Sequence, residues 1–234
     1  MNDADGRLLA KSNLSYRRPE LYDAMQADDG VVSQVIGLVG EREVSPAQIL
    51  DLGCGTGRHL AGLRDAFGAG AVGVDLQERM VRYGRPRYGV DLRCGDMRLV
   101  RLGRRFDLVT CLGNSLSYLR TVEDLRLVAE TMRMHLAHRG VVVLATLMTP
   151  QVELAMKVVR VETDLVAASV EVGSVWEAEQ RVQVMHRTWR HDDGTIDVDV
   201  LRRRVFSAEE LDGALRGAGF SDVQLVSSGL VVAS

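Results

Sequence analysis

Three glycines, Gly53, Gly55 and Gly57, alternate with other residues directly after an apolar run that ends on the carboxylate of Asp51. Glycine has no Cβ and tolerates positive φ, so such a loop lets the backbone pass close to a ligand. The apolar spacing over residues 58–67 predicts a helix after the loop, and the free N–H groups at a helix start favour negative or polar ligand atoms. These residues predict a ligand-binding loop, against the alternative of a plain strand-to-helix turn.

Two further carboxylates follow the next two apolar runs. Asp75 ends the run that starts at Ala71, and Asp96 follows the run from Val90 to Cys94. Asp75 lies about 20 residues beyond the glycines, a spacing at which a carboxylate accepts ribose hydroxyls. Since ligands of open α/β sheets bind outside the carboxyl ends of the strands, we expect these acids to surround one nucleoside-like ligand.

The glycine loop differs from the fingerprint of dinucleotide-binding proteins. That fingerprint, G-x-G-x-x-G, requires a third glycine three positions after the second. The residue at that position here is Arg58. Together with Asp51 ahead of the glycines, Arg58 argues against a nicotinamide-dependent dehydrogenase or reductase.

The elements that position these residues are predicted by apolar periodicity and by turn signals. A fourth buried strand runs from Phe106 to Leu112 and leads into a polar loop. A capping box at Thr121 begins a helix that is predicted to end at Gly140 and to carry two structural histidines in its last turn. A continuous apolar fifth strand is then predicted over residues 141–147.

The last third of the chain favours β-strands. Asp192–Gly194 separates two stretches of period-two alternation, which predicts a β-hairpin. A second capping box at Ser207 begins the final helix. Residues 223–226 and 229–232 predict an antiparallel pair of strands that completes the sheet.

Several motifs together resemble those of the class I S-adenosylmethionine (SAM)-dependent methyltransferases, in particular the small-molecule N-methyltransferases of amino sugars. The shared features are the acid-x-G-x-G-x-G loop, Tyr22-Asp23, His59-Leu60, Gly95-Asp96-Met97-Arg98 and the late β-rich stretch. The resemblance covers nearly the whole chain. It implies an α/β fold with a Rossmann-like, seven-stranded, mostly parallel sheet, helices on both faces, and a β-rich insertion over the active site.

The resemblance also implies roles for individual residues around the cofactor SAM and its product S-adenosylhomocysteine. Asp51 approaches the methionine ammonium group, Asp75 binds the ribose, Asp96 accepts from the adenine amino group, and Met97 walls the ring. The full set of implied cofactor-binding residues is Tyr16, Tyr22, Asp51, Gly53, Cys54, Gly55, Gly57, Asp75, Leu76, Met80, Asp96, Met97 and Leu112. Met80 and the two tyrosines have purely structural packing as their alternative.

The loop after the fourth strand is implied to lie nearest the transferred methyl group. Asn114, Tyr118 and Tyr22 are the catalytic candidates, and Tyr118, Trp176 and His186 are the substrate candidates. Tyr118 stands about where amino-sugar enzymes often carry a histidine. A phenol with an unperturbed pKa near 10 orients a nucleophile better than it deprotonates one, and this favours an amine acceptor.

Two alternatives stay open at this point. An O-methyltransferase would need a general base, and His186 or His191 from the insertion could supply it. The second alternative is a non-catalytic partner protein that keeps a SAM site. No metal site is expected in either case.

Four segments follow from this interpretation. Residues 1–45 form an N-terminal helical cap, and residues 46–150 form the SAM-binding Rossmann-like core. Residues 151–206 form the β-rich insertion on the substrate side, and residues 207–234 form the helix and strands that complete the sheet.

Composition limits the class of partner. The net charge of −3 at pH 7 argues against a nucleic-acid-binding protein, which usually has a basic domain. The sequence has no apolar leader at its start and no apolar run long enough to span a membrane, so we expect a cytoplasmic protein with a small-molecule substrate. The three cysteines are expected to be small buried residues. Assembly as a homodimer is left open.

Overall fold

The computed structural model describes residues 13–25, 30–150, 154–227 and 229–234. The chain divides into two compact units. The larger unit comprises residues 30–149 and 206–234, and the smaller one comprises residues 1–29 and 150–205.

The described residues contain seven α-helices, one 3₁₀-helix and eleven strands. The α-helices are α1 (Leu14–Arg17), α2 (Pro19–Met25), α3 (Val31–Glu41), α4 (Arg58–Phe67), α5 (Glu78–Tyr88), α6 (Val122–His135) and α7 (Ala208–Gly217). The 3₁₀-helix spans Ser115–Tyr118. The strands are β1 (Gln48–Leu52), β2 (Gly70–Asp75), β3 (Asp91–Cys94), β4 (Phe106–Cys111), β5 (Leu136–Ala145), β6 (Leu154–Glu162), β7 (Ala167–Glu177), β8 (Val182–His191), β9 (Ile196–Arg204), β10 (Val223–Ser227) and β11 (Leu230–Ala233).

The larger unit is built on a seven-stranded sheet of order β10-β11-β5-β4-β1-β2-β3. The five strands from β1 to β5 are parallel, and β11 and β10 complete the sheet as an antiparallel pair. One apolar core holds side chains of α6 and α7, and a second holds side chains of α3, α4 and α5. The predicted fold class is confirmed.

The order of the strands sets the place of the site. The chain runs from β1 outward to β3 and then returns to the other side of β1 with β4, so the direction reverses between β1 and β4. Asp51 on β1 lies opposite Thr110 on β4. In open α/β sheets such a reversal leaves a crevice at the carboxyl ends of the strands.

The boundary between α6 and β5 differs from the sequence prediction. The helix ends at His135, and β5 begins at Leu136, so Gly140 lies inside the strand and does not end the helix. A Cβ at Gly140 would lie 2.8 Å from Leu136 Cδ1 and 3.0 Å from the carbonyl oxygen of Asp107, so glycine is required there by close packing. His135 is structural, as predicted, but it is a buried hydrogen-bonding residue whose Nε2 accepts from the amide of Leu102 at 2.9 Å.

The smaller unit contains an antiparallel sheet of order β6-β7-β8-β9, and β8 and β9 form the predicted hairpin. Residues of α1 and α2 pack against one face of this sheet in an apolar cluster around Trp189, which is fully buried. Leu14 and Leu21 are the helical members of the cluster. This sheet is the β-rich insertion that the sequence predicts.

The sequence predicts the helix starts correctly, but it predicts the burial of only two of the three cysteines correctly. Both predicted capping boxes are present, at Thr121 and at Ser207. Cys54 and Cys111 are buried as expected, but Cys94 is exposed because β3 is an edge strand. Within the described parts of the chain, no helix combines the length and apolar character that crossing a membrane requires.

Candidate functional site

The glycine loop lies between the ends of neighbouring strands, and its three glycines have left-handed backbone conformations. Gly53, Gly55 and Gly57 have φ values of 75°, 58° and 80°, which an L-residue with a side chain rarely adopts. The amide of Gly53 donates to the carbonyl of Val74 at 2.7 Å. A Cβ on Gly53 would lie 2.6 Å from Ser115 Cβ, so the loop after β4 packs directly against this glycine.

The loop is also packed tightly from beneath. A Cβ on Gly84 of α5 would lie 1.8 Å from the carbonyl oxygen of Thr56. Similarly, a Cβ on Gly73 of β2 would lie 2.7 Å from Cys54 Sγ. The helix and strand below the loop thus approach its backbone and side chains as closely as glycine allows.

Asp75, at the end of β2, has its carboxylate fixed by two backbone amides. Oδ2 accepts from Gly55 and Oδ1 accepts from Gln77, both at 2.8 Å. Burial raises the pKa of Asp75, and the two amides partly offset this. Each oxygen can accept a second hydrogen bond, so the group suits a pair of adjacent hydroxyls.

Asp51, at the end of β1, is a buried carboxylate with a relative exposure of 1%. It accepts a hydrogen bond from Thr110 Oγ1 at 2.8 Å. Burial raises its pKa to about 7; the bond from Thr110 lowers it, and the charge of Asp75 raises it further. Among the described residues no basic side chain pairs with Asp51. A cationic ligand group would compensate this carboxylate.

Asp96, just beyond β3, is clamped by Arg98. Arg98 Nε lies 3.0 Å from Asp96 Oδ1, and Nη2 lies 2.6 Å from Oδ2. Arg98 Nη1 also pairs with Asp124 at the start of α6. Burial alone would raise the pKa of Asp96, but the hydrogen bonds from Arg98 hold it below its ordinary value. Asp96 therefore stays ionised and can only accept hydrogen bonds.

The loop after β4 lies against the glycine loop. Ser115 Oγ donates to the carbonyl of either Gly53 at 2.8 Å or Leu112 at 2.9 Å. Asn114 is held in the left-handed region at φ 64°, which is uncommon outside glycine. Tyr118 ends the 3₁₀-helix and is half-buried. The predicted catalytic loop and the predicted ligand loop are therefore brought together.

The apolar candidates are distributed between the site and the core. Met97 is partly buried, and its Sδ would lie 3.8 Å from a Cβ placed on Gly53. Leu76 is half-buried at the end of β2. Met80 is fully buried, and Leu112 is 3% exposed, so packing is part of the role of both.

Four candidates belong to the smaller unit. Tyr16 and Tyr22 are half-buried residues of α1 and α2. Trp176 pairs with Gln183 and is half-buried, whereas His186 pairs with Gly173 and is exposed. Strand alternation puts Trp176 and His186 on opposite faces of the sheet. Trp176 shares its face with Trp189, against which α1 and α2 pack.

His191, the other candidate base, forms a pair with Asp197 near the hairpin turn. Its Nε2 lies 3.2 Å from Asp197 Oδ2 and 3.5 Å from Arg18 Nη1, and its side chain is 7% exposed. The ring stacks on Trp189. His191 is therefore held by residues of the smaller unit on both its polar and its aromatic side. No metal-binding cluster of histidine, cysteine and acidic residues occurs among the described residues.

The sequence alone assigns no role to three residues of the site. Thr110 holds Asp51, Arg98 holds Asp96, and Gly84 supports the glycine loop. A threonine among the apolar residues at the end of β4 and a glycine in the middle of a helix are visible signals for two of them. The pairing of Arg98 with Asp124 depends on tertiary structure.

Comparisons with known proteins match this geometry. Residues 49–140 match a family model described as a methyltransferase domain. The chain is 37% identical over 131 residues to the dTDP-4-amino-2,3,4,6-tetradeoxy-D-glucose N,N-dimethyltransferase of Saccharopolyspora spinosa, covering 53% of this chain and 52% of that protein. It is 39% identical over 112 residues to the dTDP-3-amino-3,4,6-trideoxy-alpha-D-glucopyranose N,N-dimethyltransferase of Streptomyces venezuelae, covering 47% of each. The chain thus spans about half the length of the curated relatives it matches.

Solved structures extend the similarity to most of the fold. DesVI from Streptomyces venezuelae has a TM-score of 0.80 and 27% identity, covering 92% of this chain and 97% of that one. SAM-bound CalS10, an amino pentose methyltransferase from Micromonospora echinaspora, has a TM-score of 0.77 and 29% identity, covering 92% and 95%. The predicted resemblance is thereby confirmed: residues 49–140 match a methyltransferase domain, and the chain is similar in sequence and fold to amino-sugar N-methyltransferases.

Proposed function

We propose that this protein is a SAM-dependent N-methyltransferase that transfers a methyl group to the amine of a small-molecule sugar. The observation that carries the proposal is the row of carboxylates Asp51, Asp75 and Asp96 at the ends of three adjacent strands around the glycine loop. Their chemistry suits, in order, the ammonium, the ribose hydroxyls and the adenine amino group of SAM. The names of the curated relatives support a nucleotide-linked amino sugar as the acceptor.

The residues fit the cofactor on physical grounds. Asp51 is a buried carboxylate that a cationic group would compensate, and Asp75 presents two fixed acceptor oxygens. Gly53 lets the loop after β4 approach the glycine loop closely, because a Cβ there would lie 2.6 Å from Ser115 Cβ. SAM supplies a methyl group on an already activated sulfonium, so the protein contributes chiefly alignment and exclusion of water.

Within this proposal, Asn114 and Tyr118 orient the acceptor nitrogen beside the glycine loop. Well-oriented reactants gain about 7–11 kcal/mol from positioning alone. An amine that arrives neutral needs no base before the transfer and can lose its proton afterwards. Tyr118 therefore acts as a hydrogen-bonding partner of the acceptor and does not need to be ionised.

The smaller unit has the remaining proposed roles. We assign Tyr16 and Tyr22 to the cofactor and Trp176 to the substrate. Trp176 lies on the face of the smaller sheet against which α1 and α2 pack. His186 is the weaker substrate candidate because it is exposed on the opposite face. In these terms residues 1–45 are the N-terminal cap, residues 46–150 hold the cofactor, residues 151–206 serve the substrate side, and residues 207–234 complete the sheet.

The amine acceptor is favoured over a hydroxyl acceptor by the names of the curated relatives, which are N,N-dimethyltransferases. A hydroxyl would need a general base, and His186 or the Asp197-paired His191 is the candidate for that role in the alternative. The proposal also includes a cytoplasmic location in small-molecule biosynthesis. The net charge of −3 supports a small-molecule partner in place of a nucleic acid.

Two measurements test the proposal. Calorimetry with SAM, S-adenosylhomocysteine and NAD should detect the first two and not the third; failure to bind either adenosyl compound would refute the cofactor assignment. Mass spectrometry of dTDP-linked amino sugars incubated with the protein and SAM should then detect products that carry one or two added methyl groups. Methylation of a sugar hydroxyl with the amine untouched would favour an O-methyltransferase.

A further inference from the structure

A buried cluster of charges joins the end of β3 to the start of α6. It comprises Arg98, Asp96 and Asp124, whose side chains are only 7%, 13% and 17% exposed. The Arg98 guanidinium bridges the two carboxylates. Asp124 is at the same time the third residue of the capping box of Thr121.

The two oxygens of Asp96 are not equivalent in this cluster. Oδ1 accepts from the backbone amide of Arg98 at 2.9 Å and from Arg98 Nε at 3.0 Å, which uses both of its acceptor positions. Oδ2 accepts a short bond from Nη2 at 2.6 Å, while Nε is a more distant donor at 3.2 Å. When the single Nε hydrogen is counted once, at the nearer Oδ1, the donors of the described residues leave one acceptor position, and it is on Oδ2.

We propose that Arg98 is a positioning residue for adenine recognition, because it fixes Asp96 in the orientation in which only Oδ2 can accept the exocyclic amino group. The inference rests on the proposed function, since it assigns a role to a neighbour of the cofactor site. Arg98 does not contact the reacting atoms. It acts through Asp96, and it does so with a planar fork that a lysine cannot reproduce.

The same arginine connects the adenine end of the site to the loop that carries Asn114 and Tyr118. Its side chain binds Asp124, and its carbonyl accepts from Thr131 Oγ1 at 2.9 Å, so both parts of Arg98 are attached to α6. This helix directly follows the catalytic loop. Arg98 thus connects the end of β3 to α6 through both its side chain and its backbone.

The test compares two ligands and two variants. The ligands are S-adenosylhomocysteine and its purine analogue that lacks the exocyclic amino group. The wild-type protein should prefer the amino-bearing ligand about tenfold or more, as expected for a hydrogen bond to an ionised group. Arg98→Lys should reduce that preference to about threefold or less. Arg126→Lys on the exposed side of α6, where Arg126 pairs with Glu123, is the matched control and should keep the full preference.

Each outcome has a distinct meaning. Arg98→Lys with unchanged discrimination would overturn the inference, while a wild-type protein that binds neither ligand would overturn the proposed function instead. A uniform loss of affinity for both ligands would indicate a merely structural role and would also overturn it. If Arg98→Lys does not fold, Asp124→Asn replaces it: loss of this second anchor should weaken the discrimination, and retention of the wild-type ratio would contradict the inference.

Discussion

The backbone amide of Leu14 donates to Oδ2 of Asp199 at 2.8 Å, across 185 positions of the chain. Arg187 Nε donates to the other oxygen at 2.9 Å, and Arg187 Nη2 reaches Asn13 and Ser15. Arg187 and Asp199 are 6% and 5% exposed. The start of α1 is therefore tied to β8 and β9 by a buried ion pair inside the smaller unit.

Removal of one member of this pair should be costly. Asp199→Ala leaves the Arg187 guanidinium buried without its carboxylate, and loss of one partner of such a pair typically destabilises by about 3–5 kcal/mol. Denaturant unfolding followed by circular dichroism measures this. Asp192→Ala, which breaks the exposed pair with Arg160, should leave the unfolding midpoint nearly unchanged. Equal losses for the two variants would contradict the assignment.

Asp51 should make cofactor binding depend on pH. Its pKa of about 7 in the free protein means that it is largely protonated below that pH and ionised above it. An ammonium ligand prefers the ionised form, so affinity for S-adenosylhomocysteine should increase as pH rises through about 7, with release of a proton. Calorimetry in buffers of different ionisation enthalpy detects that proton. Asp51→Asn should remove both the proton release and the pH dependence.

In the absence of ligand, the raised pKa of Asp51 makes the folded protein less stable as pH rises, which is opposite to its effect on ligand affinity. The folded protein holds a proton on Asp51 that the unfolded chain releases near the ordinary value of 3.8. The contribution of this group to stability is therefore largest at low pH and declines as pH rises from about 4 to about 7. Comparison of the unfolding midpoints of wild type and Asp51→Asn across that range isolates the effect.

Asp75→Ala should abolish measurable cofactor binding. The substitution removes two acceptors for the ribose hydroxyls and leaves the amides of Gly55 and Gln77 without their partner. Loss of two hydrogen bonds to a charged group corresponds to about a hundredfold or more in affinity. Calorimetry with S-adenosylhomocysteine gives the dissociation constant. A variant that folds normally and binds like the wild type would remove Asp75 from the ribose site.

Gly84→Ala should disturb the glycine loop from below. The new Cβ would lie 1.8 Å from the carbonyl oxygen of Thr56, so α5 or the loop must shift, at a cost of about 1–3 kcal/mol or more. Cofactor affinity should fall along with thermal stability. Gly37→Ala in α3, where the Cβ meets nothing within 4 Å, is the matched control and should be neutral or slightly stabilising. Normal affinity in Gly84→Ala would show that the loop tolerates the shift.

Tyr118→Phe should reduce turnover by up to about tenfold, as expected for loss of one hydrogen bond to the acceptor. Affinity for S-adenosylhomocysteine should stay close to that of the wild type. Steady-state kinetics with saturating SAM separates the two effects. Tyr83→Phe on α5 controls for removal of a tyrosine hydroxyl elsewhere, and full activity of Tyr118→Phe would exclude a catalytic role.

The parts of the fold that the sequence predicts correctly are those governed by local chemistry. The capping boxes at Thr121 and Ser207 and the hairpin at Asp192–Gly194 each depend on a few neighbouring residues. The predicted helix end at Gly140 is wrong because the real constraint on this glycine is the distant carbonyl of Asp107. The predicted burial of Cys94 is wrong because its exposure depends on the order of the strands, which local sequence does not specify.

The site divides in the same way. Asp51, Asp75 and Asp96 follow apolar runs, so their gathering at one sheet edge could be predicted from strand periodicity alone. Their partners could not, because Thr110 and Arg98 act across elements that lie apart in sequence. The opposite faces of Trp176 and His186 likewise depend on the register between β7 and β8.

The contact between Gly84 and Thr56 has a consequence for how a bound molecule leaves. The glycine loop is blocked by α5 beneath it, is hydrogen-bonded to Val74 and Asp75 beside it, and has Ser115 packed against Gly53. A segment confined on so many sides is rigid, so it cannot open to let a bound molecule in or out. We therefore expect a bound molecule to leave by movement of other segments of the chain, while this loop keeps its conformation.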